Sequence, residues 1–284
     1  GGEAVSREIG GPLGVTAGAG MERGLAERLG RRAEPQKTAL IATTEPIAEA
    51  LRQRLPGSFL VELIPPGVHK VSDPGPAVDP GSTVCFVVSG NGKMDARYQA
   101  VLEGIAQTVR AHRQTQCFLD GQGADQHEVW QEAKRLNLLA HVSLVPRRLG
   151  HRELLLRTDV LVLPQPLGKS RSLTLQSMAH GIPILAHDDP WVDSYHQDET
   201  AWVVGTPSGA DWAGLMKRVI EEPESARALG ERARQWVREH RAPSAYIGRV
   251  LELYRRLTGA TLAFPEGGAA AGAGGGAGGG AGGG

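Results

Sequence analysis

Between residues 83 and 204, short β-rich runs alternate with helical stretches, and that alternation confines the chain to one class of fold. Residues 84–89 lead into a helical stretch over 96–112, where Val101, Ile105 and Val109 recur every fourth position. Residues 117–119 lead into a helix over 128–136, and 142–145 into a short helix over 151–157. Residues 160–163 lead into a helix over 173–180, and strands over 184–186 and 202–204 close the series. Strands separated by helices pair in parallel, because each connection must cross back over the sheet. The expectation is an α/β class: a Rossmann-like, doubly wound parallel sheet covered on both faces. Ligands of such sheets meet the carboxyl ends of the strands, so residues just after each strand are the candidates.

Flanking stretches suggest a partial second α/β domain. Before residue 65 the pattern gives a helix over 21–32, a strand over 38–42, a helix over 45–55 and a strand over 59–64. Thr44 is placed to cap the second of these helices, with Glu45 and Pro46 in its first turn. Ile64-Pro65-Pro66-Gly67-Val68 stiffens a linker that runs into the Pro- and Gly-rich residues 73–81. Three helices follow the sheet, over 211–222, 223–240 and 245–257; Ala226, Leu229, Ala233, Trp236 and Val237 form an apolar face on the second. The expected division is 1–65, a linker over 66–82, a main domain over 83–242, and a terminal helix over 243–266. Residues 267–284 hold Gly and Ala alone and bury too little to offset their ordering entropy, so a disordered tail is expected. Residues 1–20 are glycine-rich without sustained periodicity, and the chain opens on Gly. It is read either as part of a longer chain or as starting at Met21.

Charge and cysteine content narrow the function classes. Lysine plus arginine equals aspartate plus glutamate at 31 each, so no net field recruits nucleic acid. Cys85 and Cys117 both fall in strand-like runs and read as buried thiols rather than a disulfide or metal pair, which makes the cytoplasm the default location. No apolar run approaches membrane-span length, and peripheral membrane association stays open. The nine histidines are scattered, and Asp188, Asp189 and Asp193 match no metal-ligand spacing, so they read as a solvated loop. No metal and no cofactor is expected.

Two Gly-x-Gly turns follow strands, Gly90-Asn91-Gly92 and Gly121-Gln122-Gly123. A dinucleotide fingerprint needs a third glycine three residues on, where this chain has Asp95 and Gln126. A nicotinamide-dependent oxidoreductase therefore loses its main support. The stronger segment is Leu163-Pro164-Gln165-Pro166-Leu167-Gly168-Lys169-Ser170-Arg171-Ser172, continuing through Leu173, Thr174 and Gln176 to Gly181-Ile182-Pro183. It reads as strand, basic loop and a helix capped by Ser172. Lys169 and Arg171 oppose the positive end of that helix unless an anion is present, which suits a phosphate.

From this segment outward the chain resembles the retaining GT-B glycosyltransferases, the glycosyl transferases group 1. Leu161-Val162-Leu163-Pro164 and Leu173-Thr174-Leu175-Gln176-Ser177-Met178-Ala179-His180-Gly181-Ile182-Pro183 are similar to the family's strand and donor helix. Phe118-Leu119-Asp120-Gly121-Gln122-Gly123, the 142–146 strand, Thr200-Ala201-Trp202-Val203-Val204 and Ala228-Leu229-Gly230-Glu231-Arg232-Ala233-Arg234 follow in family order. The resemblance implies a nucleotide-sugar-binding domain preceded by a remnant of the acceptor domain. It implies transfer of a sugar from a nucleotide-sugar donor to an acceptor the sequence does not name. The donor site it implies comprises Gly90, Asn91, Lys93, Gly121, Pro146, Arg147, Lys169, Arg171, Ser172, Leu173, Thr174 and Gln176. The family's two glutamates, with seven residues between them, fall at Gly168 and Gln176. Gln176 still hydrogen-bonds ribose hydroxyls without charge assistance; Gly168 offers no side chain. That absence assigns no catalytic residue and keeps open an alternative, a degenerate member serving as a nucleotide-binding or partner subunit.

Overall fold

The computed structural model describes residues 13–17, 38–72, 81–90, 93–120, 126–145, 151–168, 171–205 and 208–259. Two parallel sheets organise them. The first has three strands in the order β1 (Leu13–Ala17), β2 (Thr38–Ala42), β3 (Leu60–Leu63). The second has six, in the order β6 (Val142–Val145), β5 (Thr115–Asp120), β4 (Val84–Val88), β7 (Val160–Leu163), β8 (Ile184–His187), β9 (Trp202–Val204). The α/β, parallel-sheet expectation holds.

Side-chain alternation explains why the large sheet is covered twice. Phe86 and Val88 of β4, Val160 and Val162 of β7, and Leu185 of β8 pack into one cluster. It also takes in α2 (Ala96–Ala111), α3 (Gln126–Arg135) and α6 (Gly209–Glu221). The intervening residues Val87, Leu161, Leu163, Ile184 and Ala186 pack into a second cluster on the opposite face. There they meet α4 (His151–Leu155) and α5 (Ser172–Ala179). The long helix α7 (Pro223–His240) serves both clusters, through Ala226 and Leu229 on one and Ala233 and Val237 on the other. Strands buried on both faces have no polar side to show, so they read as continuous apolar runs.

The smaller sheet carries α1 (Glu45–Arg54), whose Ile47, Ala48 and Leu51 pack with Leu40, Ala42 and Phe59. Residues 13–17, read above as unpatterned, instead form a strand in parallel register with β2, Leu13 opposite Thr38 and Ala17 opposite Ala42. Glycine content hid it, because only five residues are in the strand. The helix expected over 21–32 and the tail over 267–284 lie outside the described residues. The last helix, α8 (Pro243–Thr258), returns to the small sheet. Leu253 joins Ala39 and Ile64 there, and Arg256 pairs with Glu62.

Thr44 is the first correction at side-chain level. It occupies the N-cap position of α1, yet its hydroxyl makes no capping bond and donates 2.8 Å to the carbonyl of Trp191. Cys85 and Cys117 are both free; Cys117 is buried, whereas Cys85 is half-buried.

Candidate functional site

The strand order places a topological switch point between β4 and β7. The chain moves outward from β4 through β5 and β6 on one side, and from β7 through β8 and β9 on the other. The connections diverge there and leave a crevice at the carboxyl ends, the usual ligand site of such sheets. Ser89 and Gly90 follow β4, and the 164–168 loop leaves β7.

Two side chains stitch this crevice. Arg171, just before α5, donates from Nη1 to the Ser89 carbonyl at 2.7 Å and from Nη2 to its hydroxyl at 2.8 Å. Ser89 is itself held in the sheet, its N–H donating 2.9 Å to the Val162 carbonyl. Gln165, 6% exposed, donates to the Lys93 carbonyl at 3.2 Å. Its Oε1 would lie 2.7 Å from a Cβ added at Gly90, so glycine there admits the glutamine. A fixed guanidinium therefore stands at the mouth of the crevice beside a helix N-terminus.

The helix start differs from the sequence reading. Arg171, with φ −107° and ψ 137°, is the capping position, and Ser172 is the first helical residue. The Ser172 hydroxyl instead accepts from Gln176 Nε2 at 3.1 Å, so these two predicted residues share one face of α5. Among the described residues no side chain caps α5, so its first N–H groups lack a side-chain acceptor there. Leu173 and Thr174 are each 1% exposed, so their side chains belong to the interior and offer no contact to a ligand in the crevice. Asn91, Gly121, Pro146, Arg147 and Lys169 lie outside the described residues. Asp95, at the position where a dinucleotide fingerprint needs glycine, caps α2 by accepting from the N–H of Arg97 and Tyr98 at 3.1 and 3.0 Å.

Three residues of this region escaped the sequence reading: Ser89, Asp189 and Tyr195. Asp189 is 5% exposed, and its carboxylate accepts the Gly168 N–H at 2.8 Å and the Trp191 N–H at 3.1 Å. Asp193 bonds Arg241 at 2.8 Å. The solvated-loop expectation therefore fails for both and holds for the exposed Asp188. Tyr195 lies beside Thr174, Arg171 and Asp189. Burial pushes its phenol up to about 12, with Asp189 adding to the rise and Thr174 and Arg171 opposing it. A run of polar residues after β8 was the available signal; nothing local distinguished the two aspartates that turn inward. Among the described residues, no three His, Cys, Asp or Glu side chains gather as a metal site.

A separate groove of about 600 Å³ is lined by Arg110, Arg113, Arg135 and His141 over Val109 and Leu138. It lies at the amino ends of β5 and β6, away from the crevice. Arg110 and Arg135 there sit in the last turns of α2 and α3, where cations complement the carbonyl ends of helices.

The family model for glycosyl transferases group 1 matches residues 79–236. No curated protein sequence matches the chain. Sucrose-phosphate synthase from Thermosynechococcus elongatus is similar in structure at TM-score 0.64 and 21% identity, over 78% of this chain and 59% of that one. Anabaena HepE in complex with UDP-glucose gives 0.67 and 14%, over 85% and 71%. WaaG, a glycosyltransferase involved in lipopolysaccharide biosynthesis, gives 0.61 and 16%, over 79% and 64%. The chain thus spans less than two thirds of the first and third of these relatives. Among the described residues no helix is long and apolar enough to cross a membrane.

Proposed function

The chain belongs to the glycosyl transferases group 1 family, and from that premise we propose that it moves a sugar from a nucleotide-sugar donor to an acceptor hydroxyl. In that reaction the bond from the anomeric carbon to the diphosphate oxygen breaks. A bond from that carbon to the acceptor oxygen forms, and the acceptor's proton passes to the departing diphosphate. Charge accumulates on the departing nucleoside diphosphate, so donors held ready for it supply most of the catalysis.

The observation that carries this reading is Arg171, fixed by two bonds to Ser89 at the switch-point crevice and next to the uncapped start of α5. Its charge is already oriented when the diphosphate arrives. In this reading Lys169 adds a second cation, and the N–H groups of Ser172, Leu173 and Thr174 receive phosphate oxygens. Gln176 bonds the ribose, while Gly90, Asn91, Lys93, Gly121, Pro146 and Arg147 line the nucleotide. HepE was solved with UDP-glucose, which supports a uridine nucleotide as first probe. In this reading the reaction takes place in the cytoplasm, a compartment that keeps thiols such as Cys85 and Cys117 free.

A second reading rests on Gly168, whose φ of +64° lies in the left-handed region. If Gly168 occupies the position of the family's first glutamate, the backbone there is built for glycine, and a degenerate, nucleotide-binding subunit fits as well. The full gene product, assayed for transfer and donor hydrolysis across common nucleotide-sugars, separates the two. Turnover of one donor supports the enzyme. Binding of a nucleoside diphosphate with no turnover of any donor supports the subunit.

A further inference from the structure

The turn that leaves β8 touches both the crevice and the small sheet. At one end, the Asp189 carboxylate accepts the N–H of Gly168 from the loop leaving β7, at 2.8 Å, and the N–H of Trp191 at 3.1 Å. At the other end, the Trp191 carbonyl accepts the Thr44 hydroxyl at 2.8 Å, and its ring packs partly buried against the cluster of Leu40, Ala42, Ile47 and Phe59. The Val192 N–H donates to the Asp189 carbonyl at 3.0 Å and tightens the turn between these contacts.

The Thr44 bond has a local cost. A threonine at an N-cap position ordinarily stabilises its helix by about 1 kcal/mol through its side-chain oxygen. Thr44 is fully buried, and its hydroxyl serves the Trp191 carbonyl instead of α1. A contact 147 residues away has displaced the nearest available one.

We propose that Asp189 is a positioning residue that makes the conformation of the donor loop depend on how the small sheet is seated. Contact between Thr44 and Trp191 holds the turn, and the Asp189 carboxylate passes that placement to Gly168. The consequence for donor binding rests on the reading of the crevice as the donor site. The link itself is a matter of hydrogen bonds and stands apart from that reading.

Hydrogen exchange in the peptide covering residues 164–172, measured on the full chain without nucleotide, tests the link. Asp189→Ala removes both N–H acceptors and is expected to speed exchange at Gly168 about fivefold, the effect of one lost hydrogen bond. Thr44→Val keeps the shape, removes the hydroxyl, and is expected to speed the same amide although the substitution lies between β2 and α1. Thr44→Ser is expected to restore the wild-type rate. Thermal unfolding confirms that each variant is folded at the temperature used. A wild-type rate at Gly168 in Thr44→Val overturns the proposal, as does a wild-type rate in Asp189→Ala. Equal acceleration in Thr44→Ser and Thr44→Val also overturns it, because the hydroxyl then plays no part. In a second arm, UDP, ADP and GDP are titrated into wild type. If none binds, the donor-site reading fails while the exchange result still decides the link.

Discussion

Arg171 grips Ser89 by both of its oxygens, 2.7 Å to the carbonyl and 2.8 Å to the hydroxyl, across the point where the strand order reverses. A side chain that bridges the two halves of the sheet cannot swing freely in search of an anion. Replacing Arg171 with Ala should weaken UDP binding about 10- to 100-fold, the range of a charge-assisted hydrogen bond, and leave uridine binding nearly unchanged. Calorimetric titration of both ligands checks this, and an equal loss on uridine would remove the phosphate role.

Gly168 adopts φ +64°. Gly168→Glu therefore forces a side chain into the left-handed region and is expected to cost about 1–2 kcal/mol of stability. Urea unfolding measures that cost. The substitution should also fail to raise transfer activity, since the strain displaces the loop it was meant to complete. Unchanged stability together with increased turnover would show that the position is a simple vacancy of the family glutamate.

Tyr195 gives a pH signature. Its phenol is pushed up to about 12 by burial, above the ordinary value near 10. Between those values the unfolded chain has released the proton while the folded chain retains it, so stability falls as pH rises through that window. Urea midpoints of wild type should decline more steeply from pH 10 to 12 than those of Tyr195→Phe. Parallel slopes would contradict the placement of the phenol.

The Arg241 guanidinium is 6% exposed and bonded 2.8 Å to Asp193, which retains some contact with water. It also lies over the Trp236 ring, 4.6 Å from the ring centre. Asp193→Asn leaves this cation without its counter-charge and should lower stability by roughly 1–3 kcal/mol, short of the full cost for a wholly buried pair. Chemical denaturation of the single variant is compared with Asp193→Asn combined with Arg241→Met. The double variant should recover part of the loss. No recovery would mean that the pair contributes through packing alone.

The main sheet was legible because its signal is local and repeated. Val160, Leu161, Val162 and Leu163 are all buried, so each residue contributes to the pattern that marks the strand. The same local reading missed β1, whose five residues sit among glycines and gain their place by pairing with β2. Around α5 it named both residues of the Ser172–Gln176 hydrogen bond. It mistook the cap by one position because Ser is a better capping residue than Arg on propensity, whereas the Ser89 contact holds Arg171 in the extended conformation before the helix.

By itself the sequence determined the α/β class and the order of the elements that build the main sheet. Those follow from periodicity and from the need to bury both faces of parallel strands. Tertiary structure alone decided that Arg171 meets Ser89, that Asp189 meets Gly168 and that Thr44 meets Trp191, partners 82, 21 and 147 residues apart. A polar side chain takes whichever partner the folded backbone brings within about 3 Å, and no pattern of neighbours along the chain encodes that distance.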